Sequence, residues 1–306
     1  MAALTPEKFK VIGYTEEDAN RIDRPTISYW QDAWRRLRKN PIAMGSLVVL
    51  GILLVMVIIG PHIKGYDYVS MNIAEKNQGV SSKYWFGTDN LGRDLFSRVW
   101  VGARASLIIA IVATAIKLII GTVYGALMAH FGGWVDAIIS RFIDILLAFP
   151  GLLLAITIVA VLGPGSVNTV IAITIFTIPG LTRMVRSVVL SLKSSEYVEA
   201  CKTMGESNLR IIFTHVIPNS MSQIIVNVTL SLGTAILTAS SLSFLGLGVT
   251  PPEAEWGAML SQMREVIRTY PTGVLVPGIA ITLVVMSFSL VGDGLRDALD
   301  PKLKNN

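Results

Sequence analysis

The chain carries little charge for its size. Asp, Glu, Lys and Arg make up 15% of its 306 residues, whereas soluble domains carry about 25%. Hydrophobic residues account for 52% of the sequence. The single cysteine, Cys201, excludes an internal disulfide and a structural zinc site built from several cysteines. This composition predicts a polytopic membrane protein rather than a soluble domain.

Motifs of several catalytic classes are also missing. No GxxxxGK[ST] loop is present, so the chain has no Walker-type nucleotide site, and no GxSxG is present for a serine hydrolase. The histidines, His62, His130 and His215, show neither HExxH nor any other metal-ligand spacing. We therefore predict no catalytic residue, no metal site and no cofactor within this chain.

The first 25 residues are polar and carry charges of both signs, without an apolar core followed by a cleavage site. We expect no cleaved signal peptide, so the first span acts as the insertion signal. Residues 29–40 fit an amphipathic helix on the membrane surface, with Trp30, Trp34 and Leu37 on its apolar face. A simple basic flank is the alternative interpretation of this stretch.

Six apolar stretches are long enough to cross about 30 Å of hydrocarbon as helices. Pro179, Arg183 and Arg186 interrupt the fourth, so we expect its end to emerge into water. The stretches are 42–63, 105–129, 138–162, 167–190, 222–247 and 272–291. The predicted fold is all-α, with these parts: an arm at 1–41 with a surface helix, a first transmembrane helix at 42–63, an outer loop at 64–104, a five-helix core at 105–292 containing a loop at 191–219, and a tail at 293–306.

The distribution of basic residues orients these spans. Most Lys and Arg lie in the segments that share a side with the N-terminus, and the cluster WRRLRKN stands just before the first span. Basic residues near the first span usually remain in the cytoplasm. The outer loop is a partial exception, although it also carries acidic residues. We therefore predict that both termini are cytoplasmic.

The most informative stretch is 196–218, EYVEACKTMGESNLRIIFTHVIP, between the fourth and fifth spans. Ser195 and Ser207 are placed to cap two short helices, and Gly205 is placed where the first must end with a positive φ. Apolar residues repeat at helical spacing on one face of each helix. They are Tyr197, Cys201 and Met204 on the first, and Leu209, Ile212, Phe213 and Val216 on the second. Such a tethered pair is suited to bind a soluble partner.

This spacing resembles the EAA motif of ABC-importer permeases. Glu199-Ala200-Cys201, Gly205 and the HVIP of residues 215–218 match it, with Cys201, His215 and Ile217 departing from the usual residues. An ordinary interhelical loop is the alternative. Further stretches resemble signatures of the C-type permease subunits of the oligopeptide/dipeptide/nickel family: FGTDNLGRDLFSRVWVGARASL (86–107), GGWVDAIISRFIDILLAFPG (132–151), LSFLGLG and WGAML (within 242–260) and GDGLRDALDPK (292–302). The resemblance covers residues 30–302.

The resemblance implies a type I ABC importer permease fold with six transmembrane helices and cytoplasmic coupling helices, in a bacterial cytoplasmic membrane. Implied partners are a homologous second permease, two cytoplasmic ATP-binding subunits that hold ATP and Mg, an extracytoplasmic substrate-binding protein and membrane lipid, without nucleic acid. The segments 65–104 and 251–272 would receive the binding protein. The implied ATPase-coupling residues are Glu196, Glu199, Ala200, Gly205, Arg210, His215 and Pro218.

The resemblance also implies a substrate class. The permease would belong to an ATP-driven peptide importer and form half of its translocation pathway. The basic N-terminal arm favours oligopeptides, while dipeptides, nickel and glutathione remain alternatives.

Polar residues within the spans provide candidates for the pathway. Lys117 would be costly facing lipid, so it should turn inward or snorkel. It either lines a pore or contacts a companion permease, or it forms an interhelical ion pair. The fifth span is rich in small hydroxyl residues, which either pack helices or line a wet path. The pathway candidates are Lys117, Asn227, Thr234 and Thr238.

Two other classes compete with this interpretation. An intramembrane enzyme needs paired catalytic groups at depth, and the chain offers only Lys117 and, near a span end, Asp144. Asp89 and Asp94 are a poor acid pair, because neighbouring arginines would convert them into structural ion pairs. A stand-alone secondary transporter should show repeat-related broken helices and buried coupling-ion residues, and the sequence suggests neither.

Overall fold

The computed structural model describes residues 28–300, and the predicted N-terminal arm up to residue 27 and the tail beyond residue 300 lie outside them. The described part is almost entirely helical, and its only β pairing is an isolated bridge between Thr88 and Asp94. The all-α prediction is confirmed.

Helix α1 (Tyr29–Lys39) precedes the first long helix, α2 (Pro41–Ile63). The Asn40 side chain accepts hydrogen bonds from the backbone N–H groups of Ile42 and Ala43, both at 3.1 Å, and thereby caps α2. In α1, Leu37 is buried, while Trp30 and Trp34 are exposed. The helix predicted for residues 29–40 is confirmed, whereas its placement on a membrane surface stays a prediction.

Five helices in the described chain are long and apolar enough to cross a membrane. They are α2, α3 (Leu95–Phe131), α6 (Ser166–Lys193), α8 (Asn208–Phe244) and α10 (Thr272–Leu299). Helices α3 and α8 have 37 residues each, or about 55 Å at 1.5 Å per residue. Both exceed the hydrocarbon core, so their ends project from it. Helix α3 begins well before the predicted residue 105, because the Asp94 side chain accepts from the Ser97 N–H at 2.8 Å and caps it there.

The predicted third span, 138–162, is not one straight helix. Helix α4 (Gly133–Leu147) and helix α5 (Gly151–Leu162) meet at an angle of 88°. Pro150 occupies the N-cap position of α5, and a proline disfavours helical backbone in the residue before it. The prediction of an uninterrupted span is therefore wrong, although the pair counts as a sixth span if both halves belong to one crossing.

Arginines of α6 hold the bent pair in place. Arg186 donates to both carboxylate oxygens of Asp136, with Nε–Oδ1 at 2.7 Å and Nη2–Oδ2 at 2.6 Å. Arg183 pairs with Asp144 at 2.5 Å. Both aspartates lie on α4, so the basic residues that interrupt the fourth span in sequence join it to the third. A bidentate pair of this kind fixes orientation as well as distance.

The loop between α2 and α3 is organised around a buried ion cluster. Asp89 is hydrogen-bonded by Arg93 Nε at 2.7 Å, and Arg98 Nε lies 3.4 Å from the same carboxylate oxygen. All three side chains are almost fully buried. The predicted structural ion pair is confirmed for Asp89 but wrong for Asp94, whose carboxylate instead accepts from the Ser97 N–H at 2.8 Å and from the Ser97 hydroxyl at 2.7 Å. Glycines at positions 87 and 92 adopt positive φ, as the predicted tight turns require.

Two hydrophobic clusters form most of the core. The larger lies among α3, α5, α6, α8, α10 and the short helix α9 (Trp256–Met263). Glu255, which is fully buried, joins two of these helices: it accepts from Ser106 Oγ at 2.7 Å and from the Ala258 N–H at 3.0 Å. The second cluster lies where α3 and α6 meet the short helix α7 (Glu196–Thr203) and the start of α8. That second cluster positions the 196–218 segment.

Candidate functional site

Helix α7 ends in a glycine turn. Gly205 has a φ of +80°. Its N–H donates to the Lys202 carbonyl oxygen at 3.0 Å, and the Glu206 N–H donates to the Cys201 carbonyl oxygen at 3.1 Å. These two bonds form a Schellman motif, which satisfies the last carbonyl groups of a helix and requires a left-handed residue after it. The prediction for Gly205 is confirmed.

The two serines flanking α7 behave differently from each other. Ser195 occupies the N-cap position of α7, but its hydroxyl donates to the Leu192 carbonyl oxygen at 2.6 Å and makes no cap bond. The predicted side-chain cap at Ser195 is therefore wrong. Ser207 does cap the second helix, since its Oγ accepts from the Arg210 N–H at 3.4 Å.

The second helix of the segment does not stop at Pro218. Helix α8 starts at Asn208 and continues into the fifth span, so the prediction of a separate short helix is wrong. The residues Ile211–Val216 form a π-helix that ends two residues before Pro218, and proline has no N–H to donate. The second half of the segment and the predicted fifth span are therefore one continuous helix.

Apolar side chains fasten the segment to two spans. Val198 and Cys201 of α7 and Ile211, Ile212 and Val216 of the π-helix are buried. They share one cluster with residues of α3 and α6, namely Ala126, Ala129, Leu181, Val185 and Val189. Such densely packed side chains resist deformation and transmit strain between the elements they join. The segment is therefore a rigid extension of α3, α6 and α8 rather than a free loop.

A lysine adds a polar link to this packing. Lys193, the last residue of α6, donates from Nζ to the carbonyl oxygens of Ala129 at 3.2 Å and His130 at 2.8 Å. These carbonyl groups belong to the C-terminal turn of α3, where backbone acceptors lack helical partners. The contact joins the C-terminal ends of α3 and α6, three residues before α7 begins.

The outer face of the segment is apolar in its centre. Met204, Leu209 and Phe213 are 72%, 54% and 52% exposed, respectively. The predicted stripes placed these residues on the same faces as Cys201 and Ile212, which are buried, so that part of the prediction is wrong. The outward residues form a surface that we call the exposed apolar patch. Large exposed apolar side chains beside one another are typical of protein-binding surfaces.

Most of the predicted coupling residues are exposed. Glu196, Glu199, Ala200, Arg210 and Pro218 are all exposed. The carboxylates of Glu196 and Glu199 have no hydrogen-bond or ion-pair partner among the residues that the structure describes. Both carboxylates are therefore available to a partner protein. His215, the remaining predicted coupling residue, is half-buried and points back into the segment.

Sequence reasoning missed Glu206. Its carboxylate lies 3.0 Å from His215 Nε2 and 3.9 Å from Arg210 Nε. It thereby brings together Arg210 and His215, which were both predicted as coupling residues without a common contact. The available signal was its position directly after Gly205, since the Schellman turn directs the next residue back across the helix end.

Lys117 faces the interior of the bundle. It is 5% exposed, and its Nζ donates to Ser231 Oγ at 2.6 Å. The Ser231 hydroxyl in turn donates to the Asn227 carbonyl oxygen at 2.6 Å. The inward orientation is confirmed, and within residues 28–300 no carboxylate pairs with Lys117, so the interhelical ion pair is not formed there.

The remaining pathway candidates lie on one face of α8. Asn227, Ser231, Thr234 and Thr238 follow each other at intervals of four, three and four residues, which places them on one side of a helix. Thr234 is exposed, and Thr238 Oγ1 donates to its carbonyl oxygen at 2.9 Å. Lys117 contacts this face at Ser231, while the role of these residues in a pathway stays a prediction.

Fold and site together define a protein with several helices able to cross a membrane and a tightly packed helical segment between two of them. A family model described as "Binding-protein-dependent transport system inner membrane component" matches residues 121–305. A second, described as the "N-terminal TM domain of oligopeptide transport permease C", matches residues 28–79. The chain belongs to the family of binding-protein-dependent transport system inner membrane components.

Relatives cover nearly the whole chain. A dipeptide transport system permease, DppC of Alkalihalophilus pseudofirmus, is 47% identical over 279 residues, which are 91% of this chain and 92% of the relative. An oligopeptide transport system permease, OppC of Bacillus subtilis, is 42% identical over 304 residues, covering 99% of this chain and 100% of OppC. A glutathione transport system permease, GsiD of Pectobacterium atrosepticum, is 42% identical over 284 residues, which are 92% of this chain and 94% of GsiD.

A solved structure shares the fold. An inward-facing conformation of the MetNI methionine ABC transporter superposes with a TM-score of 0.55 at 18% identity, covering 66% of this chain and 97% of that one. At this identity the similarity shows the fold alone. The predicted type I importer permease fold is confirmed.

Proposed function

We propose that this chain is one of two membrane-spanning permeases in an ATP-driven importer of peptides. A homologous permease would complete the pathway, two ATP-binding subunits would hold ATP and Mg, and a substrate-binding protein would deliver the cargo. ATP hydrolysis would reside in the partner subunits. The observation that carries the proposal is the 196–218 segment, which exposes an apolar patch while its other face is packed into α3, α6 and α8.

The coupling mechanism follows from that rigidity. Closure of an ATPase dimer would draw together the segments docked on it. Because α8 is continuous from Asn208 to Phe244, displacement of the segment would move a whole span. Helix α8 carries the hydroxyl-lined face that Lys117 contacts, so the same movement would change access to the proposed pathway residues.

The proposed orientation places the segment and both termini in the cytoplasm of a bacterial cell. The positive-inside rule supports this orientation, since the basic cluster of α1 stands at the N-terminal end of the first span. The loop between α2 and α3 and the segment 251–272 would then face the substrate-binding protein. The buried ion cluster at Asp89 gives that face a fixed shape.

Peptides are the proposed substrate, and oligopeptides are favoured. Support comes from the match of residues 28–79 to the N-terminal domain of oligopeptide permease C and from an OppC relative that matches the chain end to end. Dipeptides, glutathione and nickel are the competing cargoes. Competition for uptake between a labelled pentapeptide and each of the other three would distinguish among them.

Site-specific photo-cross-linking tests the docking role. A photoreactive residue at Phe213 should cross-link to an ATP-binding subunit when the complex is assembled. The matched control is Val167, which is 71% exposed at the other end of α6 and should not cross-link to that subunit. Equal yields at the two positions, or none at Phe213 in an assembled complex, would contradict the proposal.

A further inference from the structure

The glycine turn brings three side chains of different chemistry into one cluster. One potential ligand atom each from Cys201, Glu206 and His215 lies within 4.8 Å of the others. His215 Nε2 is already 3.0 Å from Glu206 Oε2. Cys201 is a free, buried thiol, and the other two residues are half-buried. The cluster is therefore enclosed on one side and open to solvent on the other.

This donor set has the chemistry of a zinc site. Zinc binds thiolate, imidazole and carboxylate at about 2.0–2.3 Å in tetrahedral geometry, which places the ligand atoms roughly 3.3–3.8 Å from each other. The observed spacing needs only small side-chain rotations to reach those values. We propose that Cys201, Glu206 and His215 form a binding site for a zinc-class divalent cation, with the fourth position left to water.

Three local features position the ligands. Cys201 lies in the last turn of α7, and its backbone carbonyl accepts the Schellman bond from Glu206. Glu206 is thereby held over the thiol. His215 lies in the π-helix, whose wider turn is a frequent feature of functional sites. Cys201 and Glu206 are five residues apart, and Glu206 and His215 are nine apart. Because this spacing matches no known linear metal-binding motif, the sequence predicted no metal site.

One charged group opposes a cation here. Arg210 Nε lies 3.9 Å from Glu206 Oε1, and its side chain is 69% exposed. Metal binding would displace this guanidinium into solvent, where it has room to move. We therefore expect the Arg210→Ala variant to bind the cation more tightly than the parent chain. If the cation bound only adventitiously elsewhere on the surface, its affinity would not change in this variant.

A bound cation would connect α7, the turn and the π-helix. It would restrain the angle between the two helices of the segment. Under the proposed function, which this consequence presupposes, the cation would slow ATP-driven transport. Binding itself does not depend on that function and can be measured on the purified chain alone.

Metal affinity of the full chain in detergent is the direct test. Zinc titrated against a chromophoric chelator should show one tight site per chain. Cys201→Ala, Glu206→Gln and His215→Gln should each weaken zinc binding by more than the roughly 10–100-fold that is lost when a residue hydrogen-bonded to a metal ligand is replaced. His62→Gln, an exposed histidine outside the cluster, is the matched control and should bind as the parent does.

Cobalt supplies a second signal that reports on the thiol. Cys201 is the only cysteine of the chain, so a thiolate-to-cobalt absorption band can come from this residue alone. We expect the band in the parent and in His62→Gln, and its loss in Glu206→Gln, which retains the thiol and the size of the side chain. Absence of the band in the parent, or zinc affinity unchanged in the three ligand variants, would overturn the site. Intact metal binding with no effect on transport would count against the coupling function instead.

Discussion

Gly205 fixes the direction change between α7 and α8 through its backbone conformation. No atom outside its chain neighbours lies within 4 Å of where a Cβ would be, so a substitution meets strain and not a clash. Valine in a left-handed conformation costs about 1–2 kcal/mol. We expect Gly205→Val to insert normally but to lose most ATP-driven uptake, whereas Gly205→Asn should keep it, because asparagine tolerates positive φ. Peptide uptake and co-purification of the ATP-binding subunits with each variant measure these effects. Equal uptake by the two variants would contradict the turn requirement.

Glu199 is exposed and has no partner in the described chain, although the surrounding residues are ordered by packing. A solvated carboxylate contributes under about 1 kcal/mol, whereas one that pairs across an interface contributes several times more. We expect Glu199→Lys to reduce ATP-driven uptake by about tenfold or more while the complex still assembles. Asp297→Lys, an exposed carboxylate outside the segment, should transport as the parent does. If both variants transport normally, Glu199 makes no contact with the ATPase.

Local chemistry at single residues was the most predictable part of the site. Gly205 and Ser207 act as predicted, because their roles depend on backbone conformation and on hydrogen bonds within a few residues. Ser195 does not, because its hydroxyl bonds the Leu192 carbonyl oxygen of the preceding helix instead. The direction of Met204 and Phe213 was not predictable from periodicity, since it depends on where α3 and α6 approach the segment. The contact of Glu206 with His215 was missed for the same reason: the turn geometry, and not the spacing, creates it.

At the scale of elements, the loop between α2 and α3 depends on Asp89. Removing its charge leaves Arg93 and Arg98 buried without a counterion, a change that typically costs about 3–5 kcal/mol. We expect Asp89→Asn to lower the unfolding midpoint of the purified protein markedly.

Asp144→Asn is the matched control for that prediction. It breaks a pair whose Arg183 and Asp144 side chains are 53% and 48% exposed, so we expect a change under about 1 kcal/mol. Similar shifts for the two variants in thermal unfolding would mean that the Asp89 cluster does not stabilise the loop.

Helix existence was predictable, whereas helix continuity was not. Hydrophobic length located the five long helices and the bent pair, because the bilayer sets a minimum length that few other structures share. Pro150 breaks the third span, whereas Pro218 does not break α8. The difference is that Pro218 follows a π-helix packed against α3 and α6, whereas Pro150 lies between two helices with exposed flanks. Whether a proline interrupts a helix depends on tertiary packing, which cannot be deduced from one sequence alone.

For the whole molecule, the account predicts that the loop between α2 and α3 and the 196–218 segment lie on opposite sides of the membrane. Single cysteines at Lys76 and Glu253 in a Cys201→Ala background should react with an impermeant thiol reagent in intact cells, since both positions are exposed. A cysteine at Asn208, which is also exposed, should react only after permeabilisation. The neighbouring Glu255 is fully buried and is unsuitable for labelling. Reaction at Asn208 in intact cells would reverse the proposed orientation.

Coupling of peptide uptake to ATP through the 196–218 segment is the central claim, and reconstitution tests it most directly. Proteoliposomes containing this chain, its companion permease, the ATP-binding subunits and the binding protein should accumulate labelled peptide when ATP is supplied. They should not do so with a non-hydrolysable analogue, nor when Phe213→Asp removes the centre of the exposed apolar patch. Uptake by this chain alone, driven by a proton gradient without the ATP-binding subunits, would contradict the account.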